Sequence, residues 1–145
     1  MKLISILFSL LLPACIIASN KPNFIFIISD DQQADTIAAE GNKYINTPTL
    51  DLLSKEGFSF KNNYCGGSFS GAVCISSRTM LMTGHHWPMV DDTKNWTGLK
   101  TLPEILGNNG YKTHIIGKWH NGENTIKRSF QSGSSVFIGG MSDHT

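Results

Sequence analysis

The chain has 145 residues, of which 16% are charged and 40% hydrophobic, and its formal net charge is +1. That length allows one ordinary domain. The balance of charge excludes the basic field of a nucleic-acid binder and the acidic runs of a disordered chain, and no repeat or low-complexity tract suggests a solenoid or a tail.

In chain order, the first segment is "MKLISILFSLLLPACIIASN". Lys2 precedes an apolar run from Leu3 to Leu12, broken by Pro13 and followed by the small residues Ala14 and Ala18. The run is short of the roughly 20 residues of a membrane span, so residues 1–18 read as a secretory signal and no transmembrane span is expected. "LPAC", ending at Cys15, also has the form of a bacterial lipoprotein box, which would add a lipid anchor. Either way the chain is expected outside the cytoplasm, periplasmic or extracellular, or secretory and lysosomal in a eukaryotic host.

"NFIFIISDDQ" is apolar from Phe24 to Ile28, the pattern of a strand buried on both faces of a parallel sheet. "NTPTLDLLSKEG" predicts a helix with Thr47 as N-cap, Pro48 in its first turn, an apolar face of Leu50, Leu52 and Leu53, and a stop at Gly57. "FSFKNNYC" alternates like a strand. "SSRTMLMTG" predicts a short helix closed by Gly84, and "TLPEILGNNG" a second one closed near Gly110. "YKTHIIGKWH" predicts a strand centred on Ile115 and Ile116. Alternating strands and helices give the α/β class with a largely parallel sheet.

Asp30, Asp31, Lys118 and His120 all fall just past expected strand ends, where such sheets collect their ligands. Adjacent carboxylates repel, and a hard divalent cation relieves that repulsion; a solvated turn with one capping aspartate is the competing reading. Arg78 follows Cys74 by one helical turn, so both side chains share a face, and its planar fork suits a tetrahedral oxyanion. Lys118 and His120 flank Trp119 and project to one side of an extended segment, one able to neutralise an anion and the other to move a proton. His85, His86, His114 and His144 form no metal-ligand pattern. Cys65 and Cys74 remain after export, and nine residues of separation would permit a disulfide.

At these residues the sequence resembles a known family. "CISSRTMLMTG" resembles the sulfatase signature, with its arginine four places after the cysteine and Thr-Gly at its end; "NFIFIISDDQ" is similar to that family's metal-binding opening strand. "LPEILGNNGYKTHIIGKWHNG" is similar to its helix, strand and Gly-Lys-Trp-His element, and "SVFIGGMSDH" resembles an aromatic-Gly-Gly segment of some members. The resemblance covers Asn23 to His144, and it implies an alkaline-phosphatase/sulfatase-like α/β fold in which residues 19–145 form the N-terminal part of a catalytic domain.

It also implies a sulfuric ester hydrolase. A maturation enzyme would oxidise Cys74 to formylglycine (3-oxoalanine), whose hydrated aldehyde attacks sulfur and whose second hydroxyl then expels sulfate. Asp30, Asp31 and residue 74 would hold Ca²⁺ in preference to Mg²⁺. Arg78 would steady the modified residue, Lys118 would bind the sulfate and His120 would hydrogen-bond the diol. The substrate would be a sulfated carbohydrate or small molecule. Full members carry further metal and sulfate ligands in later segments, so the chain by itself is expected to be an inactive fragment.

One departure is Ser76, where the family has Pro or Ala. Two alternatives stay open at this stage. One is a phosphohydrolase of the same superfamily, using Ser70, Ser76 or Ser77. The other is a catalytically dead exported binding module with a Cys65–Cys74 disulfide.

Overall fold

The computed structural model describes residues 21–33, 35–68 and 73–140, so the expected leader with Cys15, and also Ser70 and His144, lie outside the described residues. The centre of the structure is a βαβ unit. Strand β1 (His114–Lys118) is followed by a short helix, here α4 (Glu123–Ser129), and by β2 (Ser132–Phe137), which pairs with β1 in parallel. His114 pairs with Ser132 and Lys118 with Phe137; an extra residue on β2 shifts the register between Ile116 and Gly117, beside Ser135 with its positive φ of 48°.

Three further helices precede the unit: α1 (Pro48–Glu56), α2 (Cys74–Thr83) and α3 (Leu102–Asn108). Helix α2 begins at Cys74 and ends where Gly84 takes a left-handed φ of 69° and donates its N–H to the Met80 carbonyl, as the sequence predicts. Helix α3 starts with a capping box: Thr101 Oγ1 accepts from the Glu104 N–H while the Glu104 carboxylate accepts from the Thr101 N–H. Thr101 is fully buried and its hydroxyl also donates to Ser129 Oγ, which ties α3 to α4.

The core is small and aromatic. Trp96 and Trp119 are fully buried edge to face at 5.5 Å, and Phe130 meets Trp119 at the same distance. Met82, Val90 and Ile126 close around them. Both indole N–H groups are satisfied inside, Trp96 on Thr79 Oγ1 and Trp119 on Thr125 Oγ1. The α/β class with a parallel sheet therefore holds, in a sheet of two strands among the described residues.

Several expected elements differ. Phe24–Ile28 runs extended but joins no strand ladder, and Ile25 and Ile27 are 87% and 83% exposed. It flanks β1 across a cleft of about 380 Å³, lined by Phe24, Phe26, Ile28, Leu106 and Ile115, and Phe24 packs on Tyr111 at 5.6 Å. A segment apolar on both faces becomes a strand only with backbone partners beside it, and among the described residues β1 pairs with β2 alone. Phe58–Cys65, expected as a strand, is turn and open chain with Phe58, Phe60 and Tyr64 exposed. Alternation alone does not make a strand when neither face finds a cover. Helix α1 forms where expected, but Leu50, Leu52 and Leu53 stay exposed, and Thr47 Oγ1 accepts from the Ala38 N–H instead of capping its own helix.

Replacing Thr101 with alanine removes both the cap and the link to Ser129. It should lower stability by about 1–2 kcal/mol, measured as a drop in the urea-unfolding midpoint with unchanged slope; an unchanged midpoint would mean that the capping box contributes nothing.

Candidate active site

Three pieces of chain converge past the end of β1. The first is the extended segment ending in Asp30 and Asp31, where Asp31 adopts φ 52° and turns the chain sharply. The second is the first turn of α2 with Cys74, and the third is the end of β1 with Lys118. One ligand atom each from Asp30, Asp31 and Cys74 lies within 4.8 Å of the others.

The electrostatics centre on Asp30. Lys118 Nζ contacts Asp30 Oδ2 at 2.6 Å, and Arg78 Nη2 lies 3.6 Å from the same oxygen. The thiol of Cys74 donates to Asp30 Oδ1 at 3.5 Å, and Lys118 Nζ donates to Cys74 Sγ at 3.5 Å. The two cationic side chains are almost buried, at 9% for Arg78 and 14% for Lys118, while Asp30 keeps 33% exposure. Arg78 shares the α2 face of Cys74, and its Nη1 donates to the Lys118 carbonyl at 2.8 Å. One guanidinium thus grips both the strand end and the carboxylate.

These contacts perturb the titrating groups. The Lys118 hydrogen bond holds the Asp30 carboxyl below its ordinary value against the opposing effect of partial burial, with Cys74 and Arg78 adding to it. Burial works to lower the Lys118 ammonium, yet its bonds to Asp30 and Cys74 outweigh burial and raise it. Burial, and then the positive charges of Lys118 and Arg78, pull the His120 imidazole down.

His120 does not follow the simple extended geometry. Its φ is 73°, a left-handed conformation, and its Nδ1 is buried with no hydrogen-bond partner among the described residues. Ser76 is buried at 5% exposure, in keeping with the small residue expected at its position and out of reach as a serine nucleophile. Cys65 and Cys74 are both free thiols, so the disulfide alternative is not favoured. His114 sits apart on β1, bonded to Ser132 and Ser134 of β2.

Sequence reasoning missed Asn121. It is fully buried, and its Nδ2 faces the carbonyls of Ile75 and Thr93 and the hydroxyl of Thr79 at 2.9–3.0 Å. The turn after His120 is thereby bolted to the helix that starts at Cys74. The only signal was one polar residue beside the motif "KWH", and nothing in a one-dimensional pattern says that such an amide is buried.

The donor set fits a hard divalent cation in part. Asp30 and Asp31 supply oxygen ligands of the kind that Ca²⁺ or Mg²⁺ prefers, whereas a thiol at position 74 is too soft for either.

The sulfatase family model matches residues 22–143. The N-acetylglucosamine-6-O-sulfatase of Bacteroides thetaiotaomicron is 34% identical over 106 residues, covering 70% of this chain and 18% of that protein. An arylsulfatase of Clostridium perfringens is 33% identical over 105 residues, 69% of this chain and 21% of its own length. Arylsulfatase A of Bos taurus is 34% identical over 124 residues, 79% and 24% respectively. The chain spans about a fifth of the length of the curated relatives it matches. No solved structure matches it.

The directions in which Asp30 and His120 are shifted imply how stability varies with pH. An unfolded histidine titrates near about 6.5 and folded His120 lower, so its contribution is full above that range and is lost as pH falls through the folded value. Asp30 behaves likewise below about 3.9, its folded value being depressed. The urea midpoint should therefore fall in two stages between pH 7 and pH 3. His120→Asn, which tolerates the left-handed backbone, should remove the first stage and keep the second. A wild-type midpoint that is flat from pH 7 to pH 5 would contradict the assignment.

Proposed function

The chain belongs to the sulfatase family, and from that premise we propose that it carries the N-terminal half-site of a formylglycine-dependent sulfuric ester hydrolase. The observation that carries the reading is the meeting of the Asp30 carboxylate, the Lys118 ammonium and Cys74 Sγ, each within 3.5 Å of the next. A thiol hydrogen-bonded to a carboxylate and an ammonium, beside a second carboxylate, is a mismatched ligand set for a hard cation. Exchanging the sulfur for oxygen, as oxidation to formylglycine does, turns it into a matched one.

Asp30, Asp31 and the oxygen at position 74 would hold the cation, for which Ca²⁺ is the first choice and Mg²⁺ the second; bound there, it would polarise the sulfate oxygens. A hydrated aldehyde at position 74 would supply the nucleophilic oxygen. The protein's own side chains do the remaining work. Arg78, anchored on the Lys118 carbonyl, ties α2 to the end of β1 and sets its positive charge beside the Asp30 carboxylate. The Lys118 ammonium, which lies between the Asp30 carboxylate and Cys74 Sγ, would meet the anionic ester, where a preorganised charge is most effective as negative charge develops on the leaving oxygen. His120, whose imidazole burial and cationic neighbours pull below its ordinary value, would take a proton from the hydroxyl at position 74. Position 74 also heads α2, whose N-terminal N–H groups favour an anion.

By analogy with relatives named for N-acetylglucosamine-6-sulfate and aryl sulfates, the substrate is a sulfated carbohydrate or aryl ester. The reading includes export, with residues 1–18 as the signal and a maturation enzyme acting on Cys74. Among the described residues, no helix is long and apolar enough to cross a membrane.

Co-expression with a formylglycine-generating enzyme tests this directly. The tryptic peptide of residues 62–78 should lose about 18 Da relative to the thiol form and become reactive to hydrazide reagents, and Cys74→Ala should abolish both signals. A peptide that keeps its full thiol mass under those conditions would overturn the reading.

A further inference from the structure

Strand β2 does more than pair with β1, because the chain that leaves it crosses the side chain that leaves β1. Phe137 accepts from the Trp119 N–H at 2.8 Å, and three residues later the backbone passes over the imidazole of His120. A Cβ placed on Gly140 would fall 1.8 Å from His120 Nε2, 1.9 Å from Cε1 and 2.5 Å from Cδ2. No side-chain atom fits at those distances. Gly140 does not adopt a left-handed φ, unlike seven other glycines of the chain, so what demands a glycine here is space and not backbone freedom.

The ring has little room to yield. His120 is already held at φ 73°. Trp119 before it is fully buried with its indole N–H bonded to Thr125, and Asn121 after it is bolted to α2 and to Thr93. We infer that Gly140 is the positioning residue for His120: its bare backbone forms one wall of the imidazole slot and so sets where the ring lies. The functional meaning of this wall rests on the reading of His120 given above, but its existence can be measured without turnover.

The test follows the His120 Cε1–H resonance by NMR through a pH titration. The charges around the ring are Lys118 on β1, Arg78 on α2, Lys94 in the loop before Trp96, and Asp30 on the extended segment. In the parent chain the resonance should titrate below the ordinary histidine value. In Gly140→Ala the displaced ring should move upward towards about 6.5 and change its Cε1 shift, while the Trp96 and Trp119 indole signals stay dispersed. Unchanged titration and shift in a folded Gly140→Ala chain would overturn the inference. Where that variant loses cooperative unfolding, a chain ended after Ile138 removes the wall without inserting an atom. Its His120 should titrate upward in the same way, and retention of the parent titration there would also overturn it. Because no step depends on converted Cys74, failure here and failure of the formylglycine reading are told apart.

Discussion

A single carboxylate organises the site. Among the described residues, the segment that carries Asp30 has no backbone ladder to hold it, so its position depends on what its side chains grip. Two of those grips are peripheral: the Lys21 ammonium donates to the Asn109 carbonyl, and Phe24 rests on Tyr111. The third is Asp30, set between the nearly buried Lys118 and Arg78. Withdrawing two cations from water is costly unless an anion meets them, and Asp30 is the anion that does so. The same contact brings together residues 48 and 88 positions apart in the chain.

Around that contact the scaffold is rigid where the chemistry needs it. Asn121 and Thr79 join α2 to the turn after β1, Trp96 seals Thr79 from the other side, and Arg78 spans from α2 to the Lys118 carbonyl. Elsewhere the surface is open. Phe24–Ile28 and the leucines of α1 leave apolar area uncovered, and the uncovered segment ends at the site.

Much of this was legible in the sequence. Stop residues placed the ends of α2 and α3, because a left-handed glycine such as Gly84 or Gly110 acts within one turn; the Thr101–Glu104 capping box emerged only in the structure. The four-residue spacing put Arg78 on the face of Cys74 for the same local reason. Helix α4 went unseen: "ENTIKRS" offers Ile126 as its only large apolar residue, too few for a period to emerge. Strand β2, "SGSSVF", is mostly serine and glycine and has the composition of a loop; only pairing with β1 makes it a strand. The Phe24–Ile28 and Phe58–Cys65 segments failed in the opposite direction, with strand-like patterns that no neighbour completes. The roles of Asn121 and Gly140 are tertiary properties, set by what lies across a gap, and local pattern carries no trace of them.

The central claim is that Asp30 and Lys118 are coupled and together hold the extended segment against α2 and β1. A double-mutant cycle with Asp30→Asn and Lys118→Met, read by urea unfolding at neutral pH, measures that coupling. The account predicts an interaction of about 1 kcal/mol or more, reduced from a fully buried pair by the exposure of Asp30. Single-variant effects that simply add, to within about 0.3 kcal/mol, would contradict it.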